Sequence, residues 1–121
     1  MIEESQLLAA EEPEKKSCVT TDEVQEVYTR LRQAKRPCIL TGSGIRAGAA
    51  EDNYRAFLKQ VKIPIVGGAF ATDANYTGED NYYGMSGSIG PRCGNFILQN
   101  ADFILVLGNS LSSSQTGFEG K

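Results

Sequence analysis

No histidine occurs in this chain of 121 residues. That absence removes a Ser-His-Asp triad, a Cys-His dyad and any histidine-ligated metal. It also removes the side chain that most readily moves protons at neutral pH. Tryptophan is missing as well, and cysteine is limited to Cys18, Cys38 and Cys93. Three thiols, far apart and without a C-x-x-C pair, give no framework for structural zinc. They read as reduced cysteines, two of them buried. No apolar run approaches the ~20 residues of a membrane span. The opening MIEESQLLAAEEPEKK is acidic and has no secretory h-region, so the expected location is cytoplasmic, with no membrane attachment. There is no basic stripe either. Twelve Lys+Arg against 15 Asp+Glu leave a net charge of −3, a poor match to nucleic acid.

What the chain does have is glycine, 13 residues of it, set in loops between apolar runs. Its length suits one compact domain. Residues 1–19, with Glu11-Glu12-Pro13-Glu14-Lys15-Lys16, read as a charged linker, and residues 20–121 as the domain. Thr20 and Glu23 have the spacing of a capping box. Val24, Val27, Tyr28 and Leu31 then form one apolar helical face. That helix should stop near Lys35, because Arg36 precedes Pro37. Cys38–Thr41 is a short buried strand. A second helix is expected from Ala47 to about Val61, with Ala50, Tyr54, Phe57 or Leu58, and Val61 on its core face. Ile63–Val66 is the second strand, its Pro64 near the start where a missing donor is tolerated.

Residues 69–83 are polar and aromatic without a clear period, and Tyr76, Tyr82 and Tyr83 read first as loop-packing residues and otherwise as ones that face a partner. From Gly84 to Ser114 lies the stretch that organises the rest. A glycine-rich turn runs into Pro91, which suits the first turn of a helix. Cys93, Phe96 and Ile97 fall on one face of that helix. Phe103–Leu107 is a continuous apolar run, as expected of a strand covered on both sides. Strands alternating with helices imply right-handed crossovers. The predicted fold is α/β, a Rossmann-like three-layer sandwich on a parallel sheet of three strands, near 38–41, 63–66 and 103–107. Three strands make a small sheet, so the native domain is expected to continue past Lys121.

Gly42-Ser43-Gly44-Ile45-Arg46-Ala47 fits G-x-G-x-x-A between a strand and a helix, the context for a phosphate at a helix N-terminus. A dinucleotide site also wants an acidic residue at the end of the next strand, where this chain has Gly67-Gly68-Ala69. The glycines therefore either cradle a phosphate or simply permit the turn. Gly87-Ser88-Ile89-Gly90 and Gly108-Asn109-Ser110 add two more such loops. In a parallel sheet all four meet at the carboxyl edge, where a groove forms for a ligand or another domain. The candidate binding residues are thus Gly42, Ser43, Gly44, Gly68, Ala69, Gly87, Ser88, Ile89, Gly108, Asn109 and Ser110. Arg46 and Arg92 are the nearest cations, and each reads first as a salt-bridge residue. Asp73, Glu79 and Asp80 read as solvated loop charge. No catalytic residue and no metal ligand emerges.

These same residues carry a family resemblance. Arg36–Gly44, RPCILTGSG, resembles the "RPVILAGGG" opening of the central domain of thiamine diphosphate-dependent enzymes, in particular the acetolactate synthase-like members. Ile63–Val66 resembles their "IPVV" strand, Gly84–Asn95 their "GMxGxxGxRxAN", and Asn100–Gly108 their "xADLLLALG". The likeness runs from about Thr20 to Gly117 with the motifs in order.

The resemblance implies a central domain set between a pyrimidine-binding and a diphosphate-binding domain. Those partners would hold the thiamine diphosphate, the activating glutamate and the Mg²⁺, in a parent that is a homo-oligomer. It implies a 2-oxo acid carboligase or decarboxylase, with this piece inactive alone. The acetolactate synthases also carry FAD here, outside redox use. Flavin-binding members continue after the third strand with a motif like "GARFDDRVTG". This chain continues GNSLSSSQTG, so Ser110 and Ser114 stand where arginines would meet a diphosphate. That departure argues against FAD. Two other classes remain in view. One is a stand-alone, non-catalytic nucleotide-binding module. The other is a sirtuin-like NAD-binding domain, since Ile39–Ile45 is similar to "LTGAGIS". The sirtuins, however, need a histidine and usually four zinc cysteines.

Overall fold

A computed structural model describes residues 19–71, 75 and 80–113. The expected linker apart from its last residue, Tyr76, Asp73, Glu79 and the tail from Ser114 on lie outside the described residues. The elements run α1 (Thr21–Gln33), β1 (Pro37–Thr41), α2 (Gly44–Ala47), α3 (Glu51–Leu58), β2 (Ile65–Gly67), β3 (Tyr82–Met85), α4 (Arg92–Asn100) and β4 (Phe103–Leu107). Four strands form one sheet in the order β3-β2-β1-β4, every pair parallel. This is the α/β, Rossmann-like architecture expected. The three foreseen strands are mutually aligned, with Ile39 beside Ile65 on one side and Leu105 on the other.

Local chemistry accounts for the ends of α1. Thr20 Oγ1 accepts the Glu23 N–H at 3.3 Å, while Glu23 Oε2 accepts the Thr20 N–H at 2.8 Å. These reciprocal bonds satisfy two of the donors a helix start leaves open. The helix ends two residues before Lys35, and Ala34 is already extended at ψ 139°. Beyond it, Asp102 accepts the N–H groups of Lys35 and Arg36 at 2.9 and 2.8 Å. The Arg36 N–H bond is the main reason its carboxyl lies below the usual carboxylate range. The Lys35 bond and the Arg36 charge lower it too, against some desolvation. Asp102 thereby fixes the start of β4 beside the start of β1.

Three expectations need correction. First, the sheet has a fourth strand. β3 lies in what read as irregular sequence, because Tyr82-Tyr83-Gly84-Met85 is short and lacks alternation. It also carries one extra residue: Ile65 and Gly67 oppose Tyr82 and Met85, and Gly84 sits at φ +84°. Second, the helix expected over 47–61 is two pieces. Ala49 at φ +49° breaks it after Gly48, and α3 then ends at Leu58.

Third, α4 is turned by about one residue from the expected face. Gly94 is buried, whereas Cys93 and Phe96 are exposed. A Cβ at Gly94 would lie 2.5 Å from the Met85 carbonyl oxygen. The bare glycine thus sets the contact line, with Ile97 and Leu98 half-buried beside it. Of the two described thiols, Cys38 is buried and Cys93 exposed, while Cys18 lies outside the described residues.

The core lies on the central strands: Cys38, Ile39, Ile65 and Val66 have no solvent exposure. Burial pushes the Cys38 thiol up to about 11. The Cys93 thiol instead sits at the surface, its Sγ donating to the Tyr83 carbonyl at 3.1 Å. In a Cys18→Ser background, a disulfide reagent at pH 8 should therefore label one thiol of the native protein, Cys93. The Cys38 thiol should react only once the chain unfolds. Equal labelling rates for the two would contradict this core.

Candidate groove at the carboxyl edge

Three of the four glycine loops do meet. Gly42, Ser43, Gly44, Gly68, Ala69, Gly108, Asn109 and Ser110 line one cavity of about 310 Å³, together with Phe70 and Ser112. The loops interlock through the backbone. The Gly42 N–H donates to the Leu107 carbonyl at 2.9 Å, and the Gly44 N–H to the Gly108 carbonyl at 2.8 Å. On the other side, Gly68 N–H reaches the Thr41 carbonyl at 2.7 Å. Asn109 completes the lock: its Nδ2 donates to the Thr41 carbonyl at 3.1 Å, and its Oδ1 accepts the Leu111 N–H at 2.8 Å.

The fourth loop stands apart. Gly87, Ser88 and Ile89 are outside this lining, because β3 is an outer strand and β2 and β1 lie between it and β4. The Gly87 loop is held to α4, not turned toward the groove. Asn95 accepts its N–H at 2.9 Å and donates to its carbonyl at 3.0 Å.

The bonding bears on what the groove can hold. A phosphate cradle needs several backbone N–H groups aimed at one point. Those of Gly42, Gly44 and Gly68 are directed into the protein. The helix after the first loop is only four residues long and has little macrodipole to offer. Among the described residues the lining includes no charged side chain, neither Arg46 nor Arg92 being part of it. What faces the cavity is hydroxyl, amide, backbone and one aromatic ring.

Two lining residues were not foreseen. Ser112 lies in a tail that carried no pattern. Phe70 follows the second glycine pair by two residues, and its ring is 84% exposed. The loop that carries it is pinned by a buried polar network. The Asn75 side chain, 3% exposed, accepts from Tyr54 Oη at 2.9 Å. It donates to Thr41 Oγ1 at 2.7 Å and to the Ala71 carbonyl at 2.9 Å.

A second, apolar groove of about 530 Å³ runs between α1, α3 and β4, lined among others by Val24, Val27, Phe57, Leu105 and Leu107. The apolar face of α1 points into it instead of a closed core: Val24, Val27 and Tyr28 are 56%, 41% and 48% exposed, and only Leu31 is buried.

Comparison with known proteins adds a family to this geometry. The family described as "Thiamine pyrophosphate enzyme, central domain" matches residues 24–121. The acetolactate synthase large subunit of Lactococcus lactis subsp. lactis is 32% identical over 90 residues, which cover 74% of this chain and 16% of that protein. The acetolactate synthase isozyme 2 large subunit of Escherichia coli is 30% identical over 98 residues, 78% of this chain and 17% of that protein. The 3D-(3,5/4)-trihydroxycyclohexane-1,2-dione hydrolase of Shouchella clausii is 28% identical over 107 residues, 83% and 16% respectively. The chain thus spans about a sixth of the length of these relatives.

Proposed function

The chain belongs to the thiamine pyrophosphate enzyme central domain family, and from that membership we propose that it is the structural, nucleotide-groove layer of an acetolactate synthase-like carboligase or decarboxylase of 2-oxo acids. The observation that carries this reading is the neutral groove. Among the described residues it is shaped by backbone, hydroxyls, an amide and one aromatic ring, with no group able to move a proton near neutral pH. Catalysis is the work of the other domains.

The residues present do not fit thiamine diphosphate with Mg²⁺. Among the described residues no three Asp, Glu, Cys or His gather to hold a metal, and the groove has no carboxylate. Both groups are assigned to the pyrimidine-binding and diphosphate-binding domains of the parent. The uncovered faces support such neighbours. β4 is an outer strand with Ile104 41% exposed, and the α1 face and its groove are apolar. Two relatives are named as synthases and one as a hydrolase, which supports placing the choice of reaction outside this domain. The parent is read as a homo-oligomer in the cytoplasm; among the described residues no helix is long and apolar enough to cross a membrane. A stand-alone nucleotide-binding module is the second reading, favoured only by the groove itself.

The test is turnover. The purified chain, supplied with pyruvate, thiamine diphosphate and Mg²⁺, should form no acetolactate or acetaldehyde above a protein-free blank. Activity that follows the chain through purification from a host lacking its own synthase would contradict the assignment.

A further inference from the structure

The apolar groove between α1, α3 and β4 has walls but no cover among the described residues, and the chain itself enters at its mouth. We propose that residues 1–18 turn back over this groove and that Leu7, Leu8, Ala9 and Ala10 dock in it, so that the segment straps α1 to the sheet. The inference is independent of the carboxyl-edge cavity and of any ligand there.

Three observations choose this occupant. The first is the groove itself. Val24 and Val27 of α1, Phe57 of α3, and Leu105 and Leu107 of β4 line about 530 Å³. An amphipathic helix draws most of its stability from burying its apolar stripe. Yet α1 buries only Leu31, and its two lining valines stay about half in water. An apolar segment laid in the groove would cover them.

The second is the tether. Val19, where the described chain begins, is itself part of the lining and 72% exposed. The preceding segment therefore leaves from the groove. From Ala10 to Val19 the chain extends at ~3.3 Å per residue to about 30 Å. The 13 residues of α1 span about 20 Å, so the run can fold back anywhere along the helix. A segment tethered this closely meets its site at an effective concentration on the order of millimolar, and modest apolar contact is enough to hold it.

The third is composition. The longest uncharged apolar run in residues 1–18 is Leu7-Leu8-Ala9-Ala10. Between it and the groove mouth lies Glu11-Glu12-Pro13-Glu14-Lys15-Lys16, charged and interrupted by proline, as suits an exposed turn. Charge also sets the direction. Folding back lays the segment antiparallel to α1, which has Asp22 and Glu23 in its first turn and Arg30 and Arg32 in its last. Lys15 and Lys16 then come beside the acidic end, and Glu3 and Glu4 toward the basic end. The tail from Ser114, SQTGFEGK, fits less well, since Phe118 is its one large apolar residue. Tyr28, outside the lining, and the open side of β4 are left to the neighbouring domains proposed above.

The test uses the full chain, ¹⁵N-labelled, with a nitroxide on Gln6→Cys in a Cys18→Ser, Cys93→Ser background, where the buried Cys38 stays unlabelled. The expected result is that the amides of Val24, Val27, Phe57 and Leu105 lose their signals while the nitroxide is oxidised and regain them once it is reduced. Those of α4, which packs on β2 and β3 and has no residue in the lining, should keep theirs. Leu7→Glu with Leu8→Glu should restore the groove signals and lower the thermal unfolding midpoint by about 4–8 °C. Leu7→Met with Leu8→Met, which keeps the apolar volume, should leave the native pattern. Signals lost evenly over the surface, or only beside Val19, would overturn the inference. A Leu7→Glu, Leu8→Glu protein with the native pattern would do the same. So would loss of groove signals in a ¹⁵N chain without nitroxide mixed with an unlabelled chain that carries it, because the occupant would then be a second copy.

Discussion

Gly42→Ala should lower the unfolding midpoint by more than 10 °C. A Cβ at Gly42 would sit 2.1 Å from the Gly108 carbonyl oxygen and 2.5 Å from Asn109 Cα. Both obstacles are backbone, so no side chain can swing away. The β1 and β4 loops would have to part, and the bond from Gly42 N–H to Leu107 would stretch with them. Overpacking typically costs about 1–3 kcal/mol where side chains can adapt, so about 3 kcal/mol is the lower bound here. At ~4–8 °C per kcal/mol for a domain of this size, that is the drop stated. Gly48→Ala is the control. Its nearest contact would be 3.2 Å, to the Gly44 carbonyl, at an ordinary φ of −90°, so its midpoint should move little. Thermal unfolding followed by circular dichroism would check both. A Gly42→Ala midpoint near the native value would mean that the loops are not interlocked.

The second large effect is expected at Asn75. Asn75→Ala deletes three hydrogen bonds in a buried site, to Tyr54, Thr41 and Ala71. At a net ~0.5–1.5 kcal/mol each, the loss is about 1.5–4.5 kcal/mol. Urea denaturation should show it as a lower transition midpoint. The loop bearing Phe70 should also lose amide protection before the sheet does. Asp52→Ala provides the comparison. Its ion pair with Arg55 is long, at 3.9 Å, and solvent-exposed, so its removal should fall within about 0.5 kcal/mol of zero. If Asn75→Ala were as mild as Asp52→Ala, the network would not be holding the loop.

Asn75 also shows where the sequence stopped being readable. Its polar side chain lies in a stretch without periodicity, and nothing local distinguishes it from a solvated loop residue. Its burial comes from Tyr54 and Thr41, 21 and 34 positions away. The same applies to β3, whose two tyrosines suit a strand but whose run is short and broken by Gly84, and which pairs with Ile65 and Gly67 alongside. By contrast, β1, β2 and β4 were legible, since each is an apolar run too short for a helix and bounded by glycine or proline. The cap of α1 was legible because the box is a local three-residue rule.

The face of α4 was misread for a physical reason. Hydrophobic spacing pointed to Cys93 and Phe96, but helix and sheet come closest where there is no side chain at all, at Gly94. For the groove, the strand-end rule placed the loops after β1, β2 and β4 together. It could not show that β3 would lie outermost, which sets Gly87, Ser88 and Ile89 away from the rest. Nor could it show that several glycine N–H groups would be spent on the protein itself.

The central claim is that this groove is neutral and does not grip a diphosphate. Ser110 lines it, no guanidinium does among the described residues, and Ser114 holds the other position where the flavin-binding pattern has arginine. Two missing charge-assisted hydrogen bonds, at ~1.5–3 kcal/mol each, amount to roughly 3–6 kcal/mol, or about two to four powers of ten in affinity. Titrating the purified chain with FAD and following flavin fluorescence tests this directly. The account predicts colourless protein from expression and a dissociation constant weaker than about a micromolar. A yellow protein, or FAD binding tighter than that, would contradict it.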